Sequence, residues 1–524
     1  MSSTDHRRPK PESSTQLAPK QRTPESPTRA AGSSPSSDWP SFDLSSLDPS
    51  ASHLHFVGVG GVSMQALALW CLREGFTVSG CDLGAPSSAL ALKAAGVRVH
   101  EHHHPDHVLD ADVVVHSMAV PIDHPELVAA RASGAVLIKR IELLHELFRL
   151  RRSIGVTGTH GKSTTTGMLA TMLLALDPHT SVQLGASLAT IGGNFHHGDG
   201  PWLVAEVDES DPGFAALECE VAIVTNLEDD HIAGDYAERR NYHASLADLE
   251  QAARRFALAA PRLVYCADWP GLDELFAGHG GKVTYGLTDG ADYRLRELDL
   301  TASGSSYTLE RPRGSALKVE IGVPGLHNAL NAAAAIAAVE ATGHDAAEAL
   351  ATLKTFTGVG RRWQLYGEIH GALVIDDYAH HATEVRATLK AAKATGRRVR
   401  AVLQPHRWIR TARQWPQLAE AAALADEVLV LEVYAAGEAR IEGVSPDLIV
   451  DRLHELGVAA ARHDVASASA YLGRSLADGD LVITLGAGDV WRVAASLAQT
   501  SRASLTPIAK PGEKSPHERP ANAG

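Results

Sequence analysis

Between residues 51 and 500, short apolar runs alternate with longer Ala- and Leu-rich stretches of helical period. Short buried strands that each lead into a helix are the signature of an α/β chain with mainly parallel sheets. The pattern falls into three units. In the first, a strand through Val57 is followed by a glycine turn and a helix to about Arg73, with further strands predicted at Thr77–Cys81, Val113–His116 and Ala135–Ile138. In the second, a strand at Ser153–Thr157 leads to a helix over Thr164–Leu176, with strands entering Glu206 and Thr225. In the third, strands are predicted at Leu373–Ile375, Arg400–Leu403, Glu427–Val433 and Leu481–Leu485. The expected domains are 51–150, 151–360 and 361–500. Residues 1–50 and 501–524 are rich in Ser, Pro, Thr and charge without apolar period, and are expected to be disordered.

At 524 residues the chain has ample length for several cores. No apolar run reaches the roughly 20 residues that span a bilayer, and no apolar stretch follows Met1 as in a secretory signal. The four cysteines (Cys71, Cys81, Cys219, Cys266) lack metal-ligand spacing, so a reducing cytoplasm is expected. A net charge of −14 argues against nucleic acid as a partner.

The chemistry collects at strand ends. Gly158-Thr159-His160-Gly161-Lys162-Ser163-Thr164 joins a strand to a helix. Glycines there turn backbone N–H groups inward, the helix N-terminus adds positive potential, Lys162 can reach outer phosphates and Ser163 can ligate Mg²⁺. Val156 stands where the usual phosphate loop has glycine. Leu203 to Asp211 carries Glu206, Asp208, Glu209 and Asp211, a set of oxygen donors suited to Mg²⁺, and Glu228, Asp229, Asp230 and His231 follow the next strand. Gly58-Val59-Gly60-Gly61-Val62-Ser63, with Asp82 about twenty residues on, approaches a dinucleotide fingerprint but lacks its third glycine. It points to a diphosphate- or ribose-bearing ligand, with Ser117 at a neighbouring strand end. A nicotinamide enzyme would use this turn but leave the phosphate loop unexplained. In the third unit, Tyr378, His380, Arg407 and Arg410 lie in polar clusters at strand ends, and the two arginines can clamp a carboxylate or phosphate. The stretch His100 to His107 is expected to be a solvated loop and is assigned no metal.

Together, Gly58-x-Gly60-Gly61, Gly158 to Ser163, Ala205 to Asp211, Pro324 to Ala332 and Gly358 to Arg362 resemble the Mur ligase family over the whole chain between its tails. The resemblance implies three domains: a Rossmann-like N-terminal domain, a P-loop-type central ATPase domain and a Rossmann-like C-terminal domain. It implies ATP and Mg²⁺ as cofactors, with UDP-N-acetylmuramate and L-alanine joined through an acyl phosphate. Gln404 to Arg407 and Val433 to Glu438 lean towards members that add L-alanine, while Ala379 leans towards those that attach a tripeptide to the same nucleotide sugar. By resemblance, Lys162, Glu206, His231 and His380 are catalytic, and Ser163, Glu206 and His231 hold metal. ATP is met by Gly158 to Thr164, His327, Asn328, Asn331 and Arg361. Gly58, Gly60, Gly61, Val62, Ser63, Asp82 and Ser117 meet the UDP-sugar. Tyr378, His380, Arg407 and Arg410 meet the amino acid. Several relatives carry a carbamylated lysine downstream of the position of His231; this chain has no lysine between Lys162 and Lys282. No membrane or obligate protein partner is implied.

Overall fold

The computed structural model describes residues 42–83, 86–230, 232 and 243–504. Three sheets form in sequence. The first has five parallel strands in the order Arg98–His100, Thr77–Cys81, His53–Val57, Val113–His116 and Val136–Lys139. Its central strand, His53–Val57, is buried on both faces, as expected of a parallel sheet covered by helices. The order reverses beside that strand, so the crevice where such sheets bind ligands opens at its carboxyl end, at Gly58.

The second sheet has ten strands. Its parallel core includes Arg152–Thr157, flanked by Trp202–Glu206 and Val221–Val224. Antiparallel strands finish one edge, from Tyr293–Leu300 through Ser305–Glu310 to Leu317–Ile321. The helices Lys162–Leu176 and Leu326–Ala341 contribute to one apolar core with this sheet. The second helix is so rich in Ala that it can pack closely, and its residues from Ala332 to Val339 are buried.

The third sheet has six strands, ordered Gln364–Ile369, Ala372–Asp377, Asp480–Leu485, Arg398–Leu403, Glu427–Val430 and Ala459–Arg462. All pairings are parallel except the first, an antiparallel edge. Arg400, only 1% exposed, is held by Glu427 at 2.7 Å and Asp480 at 3.3 Å, which answers the charge it buries.

Both expected tails need correction at their inner ends. Residues 42–50 fall within the segment expected to be disordered. Leu44 is instead buried, and its N–H donates to Glu146 Oε2 at 3.1 Å. One apolar residue with a buried carboxylate to cap it anchors the segment, and single residues give no periodicity to read. At the other end the last helix runs Trp491–Ser504, past residue 500. The rest of both expected tails, 1–41 and 505–524, lies outside the described residues. The strand Arg98–His100 also takes the first histidine of the stretch expected to be loop.

Candidate active site

The phosphate loop is built by its glycines and its neighbour strand. Gly158 has φ +128°, and a Cβ there would meet Thr225 Oγ1 at 2.2 Å; one on Gly161 (φ +82°) would meet Asn331 Oδ1 at 2.6 Å. Only glycine lets the loop pass this close. The loop rests on Thr225 and Asn226. Thr159 N donates to the Asn226 carbonyl at 3.0 Å and His160 N to Asn226 Oδ1 at 2.7 Å. Thr225 Oγ1 returns a bond to the His160 carbonyl at 2.6 Å. Val156 lies fully buried inside the strand Arg152–Thr157, so glycine at that position would only weaken the sheet.

Lys162 begins the helix. Its ammonium donates to the carbonyls of Gly158 (2.6 Å) and Thr159 (3.1 Å) and pairs with Glu209 at 2.6 Å. Burial pushes the Glu209 carboxyl up to about 7 against the pull of Lys162. Ser163 Oγ donates to Glu206 Oε1 at 2.9 Å, and Glu206 Oε2 accepts from Gly185 N at 2.7 Å. A hydroxyl and a carboxylate side by side at a phosphate loop are hard oxygen donors, and they fit Mg²⁺. His231 lies outside the described residues. Its sequence neighbours Asp229 and Asp230 pair with arginines of the third unit: Asp229 with Arg413 at 2.9 Å, Asp230 with Arg410 at 2.7 Å.

A cleft of about 760 Å³ joins the units. Val62 and Ser63 reach it from the first, Lys162, Ser163 and Glu206 from the second, and Tyr378, His380, Arg407 and Arg410 from the third. Gly58, Gly60, Gly61, Asp82 and Ser117 are not among its lining residues; they follow the carboxyl ends of the strands His53–Val57, Thr77–Cys81 and Val113–His116. Asp82 Oδ2 accepts from Gly60 N at 2.8 Å, so it braces the glycine turn. An adjoining, more enclosed cavity of about 170 Å³ is lined by Gly161, Thr164, Trp269, His327, Asn328 and Asn331. Burial, helped by Arg362, holds His327 down at about 4. Its neutral ring, the Asn amides and the Trp269 ring offer the stacking and hydrogen-bonding groups that a purine needs.

Three of the expected site residues line the cleft and also hold protein partners. His160 contributes its backbone to the loop, but its ring bridges units: Nε2 meets Glu228 at 2.8 Å and Nδ1 meets Glu384 at 3.4 Å. Burial works against the charge, yet the two carboxylates outweigh it and raise His160 to about 9. Arg361 spends its guanidinium on Asp376 (3.0 Å) and on the carbonyls of Gly486, Ala487 and Gly488. Arg362 is the arginine that lines both cavities, paired with Glu384 at 3.0 Å. Arg410 faces the central unit through Asp230, with His406 Nδ1 at 3.2 Å. In the same pocket, burial and then Arg410 hold His380 down at about 3. The His380 Nδ1–H donates to the Tyr378 carbonyl at 3.0 Å, which leaves Nε2 as the acceptor.

Comparison with known proteins covers all three units. Residues 53–152 match the Mur ligase family catalytic domain, 156–339 the Mur ligase middle domain and 361–488 the Mur ligase glutamate ligase domain. The UDP-N-acetylmuramate–L-alanine ligase of Deinococcus radiodurans is 43% identical over 450 residues, 84% of this chain and 92% of that one. The chain belongs to the Mur ligase family. The enzyme of the same description from Pelotomaculum thermopropionicum is 39% identical over 85% of this chain and 97% of its own. Among solved structures, the UDP-N-acetylmuramate–alanine ligase of Thermotoga maritima superposes with a TM-score of 0.73 at 30% identity, over 86% of this chain and 99% of that one.

The Mur ligase site holds residues that the sequence pattern did not single out. Arg362, Asn226 and Glu384 are defined by partners distant in sequence: Asn226 by His160 N, Arg362 by Glu384, and Glu384 by the His160 ring of the central unit. A signal for Arg362 did exist: it stands next to Arg361 in the Gly358 to Arg362 signature. Arg361 has φ +60°, and that turn separates the directions of the two neighbouring side chains.

Proposed function

We infer that this Mur ligase joins L-alanine to the lactyl carboxylate of UDP-N-acetylmuramate at the expense of ATP, in the cytoplasm, as a step of peptidoglycan precursor synthesis. The observation that carries this reading is a cleft lined by groups from all three units. A carboxylate and a triphosphate repel each other, so cationic groups must hold both in line before they react. Lys162 would leave Glu209 for the outer phosphates, and the N-terminus of its helix would receive them. Mg²⁺, held by Ser163 and Glu206, would supply charge neutralisation on the phosphates. Adenine would occupy the cavity between Trp269 and His327. Arg362 would approach the same nucleotide from the third unit.

The UDP-sugar would lie along the Gly58 to Ser63 turn, with Asp82 fixing the turn and Ser117 beside it. Its lactyl carboxylate would attack the γ-phosphorus and give an acyl phosphate as ADP leaves; the L-alanine amine would then attack the acyl carbon, and phosphate would leave as the amide forms. Tyr378, His380 and Arg407 would orient the amino acid, His380 accepting from its ammonium through Nε2. The buried contacts across Glu228 to Asp230 would keep water from the acyl phosphate. No helix among the described residues is long and apolar enough to cross a membrane. The four cysteines are free and buried, which agrees with a reducing compartment.

The test is phosphate release with ATP, UDP-N-acetylmuramate and each acceptor in turn. L-alanine should support release far better than the tripeptide L-Ala-γ-D-Glu-meso-diaminopimelate; a preference for the tripeptide would move the protein to the recycling reaction. Lys162→Ala should lower turnover by roughly 10²-fold or more while UDP-sugar binding persists.

A further inference from the structure

The histidine-rich stretch is not simply solvated. His102 and His104 are exposed, but His103 and His107 turn inward to a glutamate with no exposure at all, Glu126 on the helix Pro125–Ser133. Glu126 Oε1 takes the His104 N–H at 3.1 Å and the His107 ring at 3.0 Å. Glu126 Oε2 takes Cys81 Sγ at 2.9 Å and His103 Nδ1 at 2.9 Å, and those two atoms are 3.1 Å from each other. A sulfur, an imidazole nitrogen and a carboxylate oxygen thus meet pairwise, and the ligase reaction uses none of them.

His55 completes the group. It is fully buried and offers a ring nitrogen within 4.8 Å of the donor atoms of Cys81 and Glu126. Its Nε2 has no hydrogen-bond partner among the described residues. With one hydrogen on each imidazole, a chain of hydrogen bonds sets the form that nitrogen takes. His53 Nδ1 faces the Asp110 carbonyl at 3.2 Å and so carries hydrogen. His53 Nε2 must then accept from Ser79 Oγ, at 2.7 Å. Ser79 Oγ in turn accepts from His55 Nδ1, also at 2.7 Å. His55 Nε2 is therefore left as a buried bare lone pair, on a ring that lies within reach of a thiol and a carboxylate. A metal-ligating imidazole has that form, its other nitrogen tied to a fixed acceptor.

We propose that His55, Cys81, His103 and Glu126 form a binding site for a borderline-soft divalent cation of the zinc class. Sulfur and nitrogen donors disfavour Mg²⁺ and Ca²⁺ and suit Zn²⁺. Donors around a tetrahedral Zn²⁺ lie about 3.3–3.6 Å apart, given metal–ligand bonds of about 2.0–2.3 Å. The three hydrogen-bonded atoms need move only a few tenths of an ångström. On binding, the Cys81 S–H bond breaks, its proton leaves to solvent and a metal–sulfur bond forms. The His103 proton shifts from Nδ1 to Nε2, and Glu126 keeps Oε1 on His104 and His107 while Oε2 turns to the ion. The Cys81 carbonyl accepts from Gly58 N at 2.9 Å and Val59 N at 3.0 Å, so the ion would brace the glycine turn from behind.

The full-length chain, stripped with chelator and titrated with Co²⁺, provides the test. We expect a sulfur-to-cobalt charge-transfer band in the near ultraviolet that saturates at one equivalent and is displaced by Zn²⁺. Co²⁺ at the oxygen donors Ser163 and Glu206 produces no such band. Cys81→Ser should abolish it, Cys219→Ser should keep it, and His103→Gln and Glu126→Gln should each weaken binding at least tenfold. The absence of the band in the folded unmodified chain overturns the proposal. So does a band that survives in Cys81→Ser, or, where that variant misfolds, binding of undiminished strength in both His103→Gln and Glu126→Gln.

Discussion

Arg410 has two candidate roles, and a double-mutant cycle separates them. As an amino-acid ligand it would act on substrate directly. As the structure has it, Nε and Nη2 both bond Asp230 Oδ1, at 2.9 and 2.7 Å, across the boundary between the central and C-terminal units. The side chains are 9% and 7% exposed, so the pair is effectively desolvated. Removing one partner of such a pair costs about 3–5 kcal/mol, because the other charge stays buried without it; removing both is often close to neutral. The two units keep their own apolar cores, so this energy acts on closure rather than on folding. Arg410→Ala and Asp230→Ala should each lower kcat/KM for the amino acid by roughly 10²-fold or more, from about 1.4 kcal/mol per decade. The double variant should do no worse than either single one, a coupling of at least ~2 kcal/mol. The assay is phosphate release at varied amino acid, with thermal melts to confirm that each variant folds. Strictly additive losses would refute the reasoning and return Arg410 to the substrate.

Four further outcomes are expected. The His160 pKa rises from 6.5 to about 9 in the fold, so its stabilisation is complete below pH 6.5 and is lost as pH climbs through 9. That loss amounts to ~3 kcal/mol, and denaturant midpoints of His160→Gln should be flatter over this range; an unchanged slope would remove the Glu228–His160–Glu384 bridge from the account. Arg361→Ala strands Asp376, which has no exposure, and should destabilise the protein by about 3 kcal/mol or more; Arg362→Ala should chiefly raise KM for ATP, and the reverse pattern in melts and kinetics would exchange their roles. Leu44→Ala should abolish hydrogen-exchange protection of the Leu44 amide, now bonded to Glu146, with a local loss of about 2–4 kcal/mol; a still-protected amide would mean that residues 42–50 are held by something else. With no lysine between Lys162 and Lys282 to carbamylate, rigorous removal of bicarbonate should leave turnover unchanged, whereas a rate restored by bicarbonate would implicate a lysine from elsewhere.

Local geometry is legible in the residues themselves. Strand, glycine turn and helix at Gly58 to Ser63 and Gly158 to Thr164 follow from apolar runs and from backbone angles that only glycine adopts cheaply. The position of Lys162, Ser163 and Glu206 at neighbouring strand ends follows from parallel order, because consecutive strands place their carboxyl ends on one edge. Which partner each charged side chain finds was decided by tertiary structure alone. Arg361 and Arg362 are adjacent in sequence, yet one is held by Asp376 and three backbone carbonyls while the other pairs with Glu384 at the more enclosed cavity. His160 lies in a motif that reads as phosphate-binding, but its charge is set by Glu228 and by Glu384, more than two hundred residues on. His55, Cys81, His103 and Glu126 have no metal-ligand spacing because two strands, a loop and a helix bring them together. Backbone conformation is fixed within a few residues, and sequence pattern reports it. Electrostatics depends on distance in space and on burial, which exist only once the three units have packed.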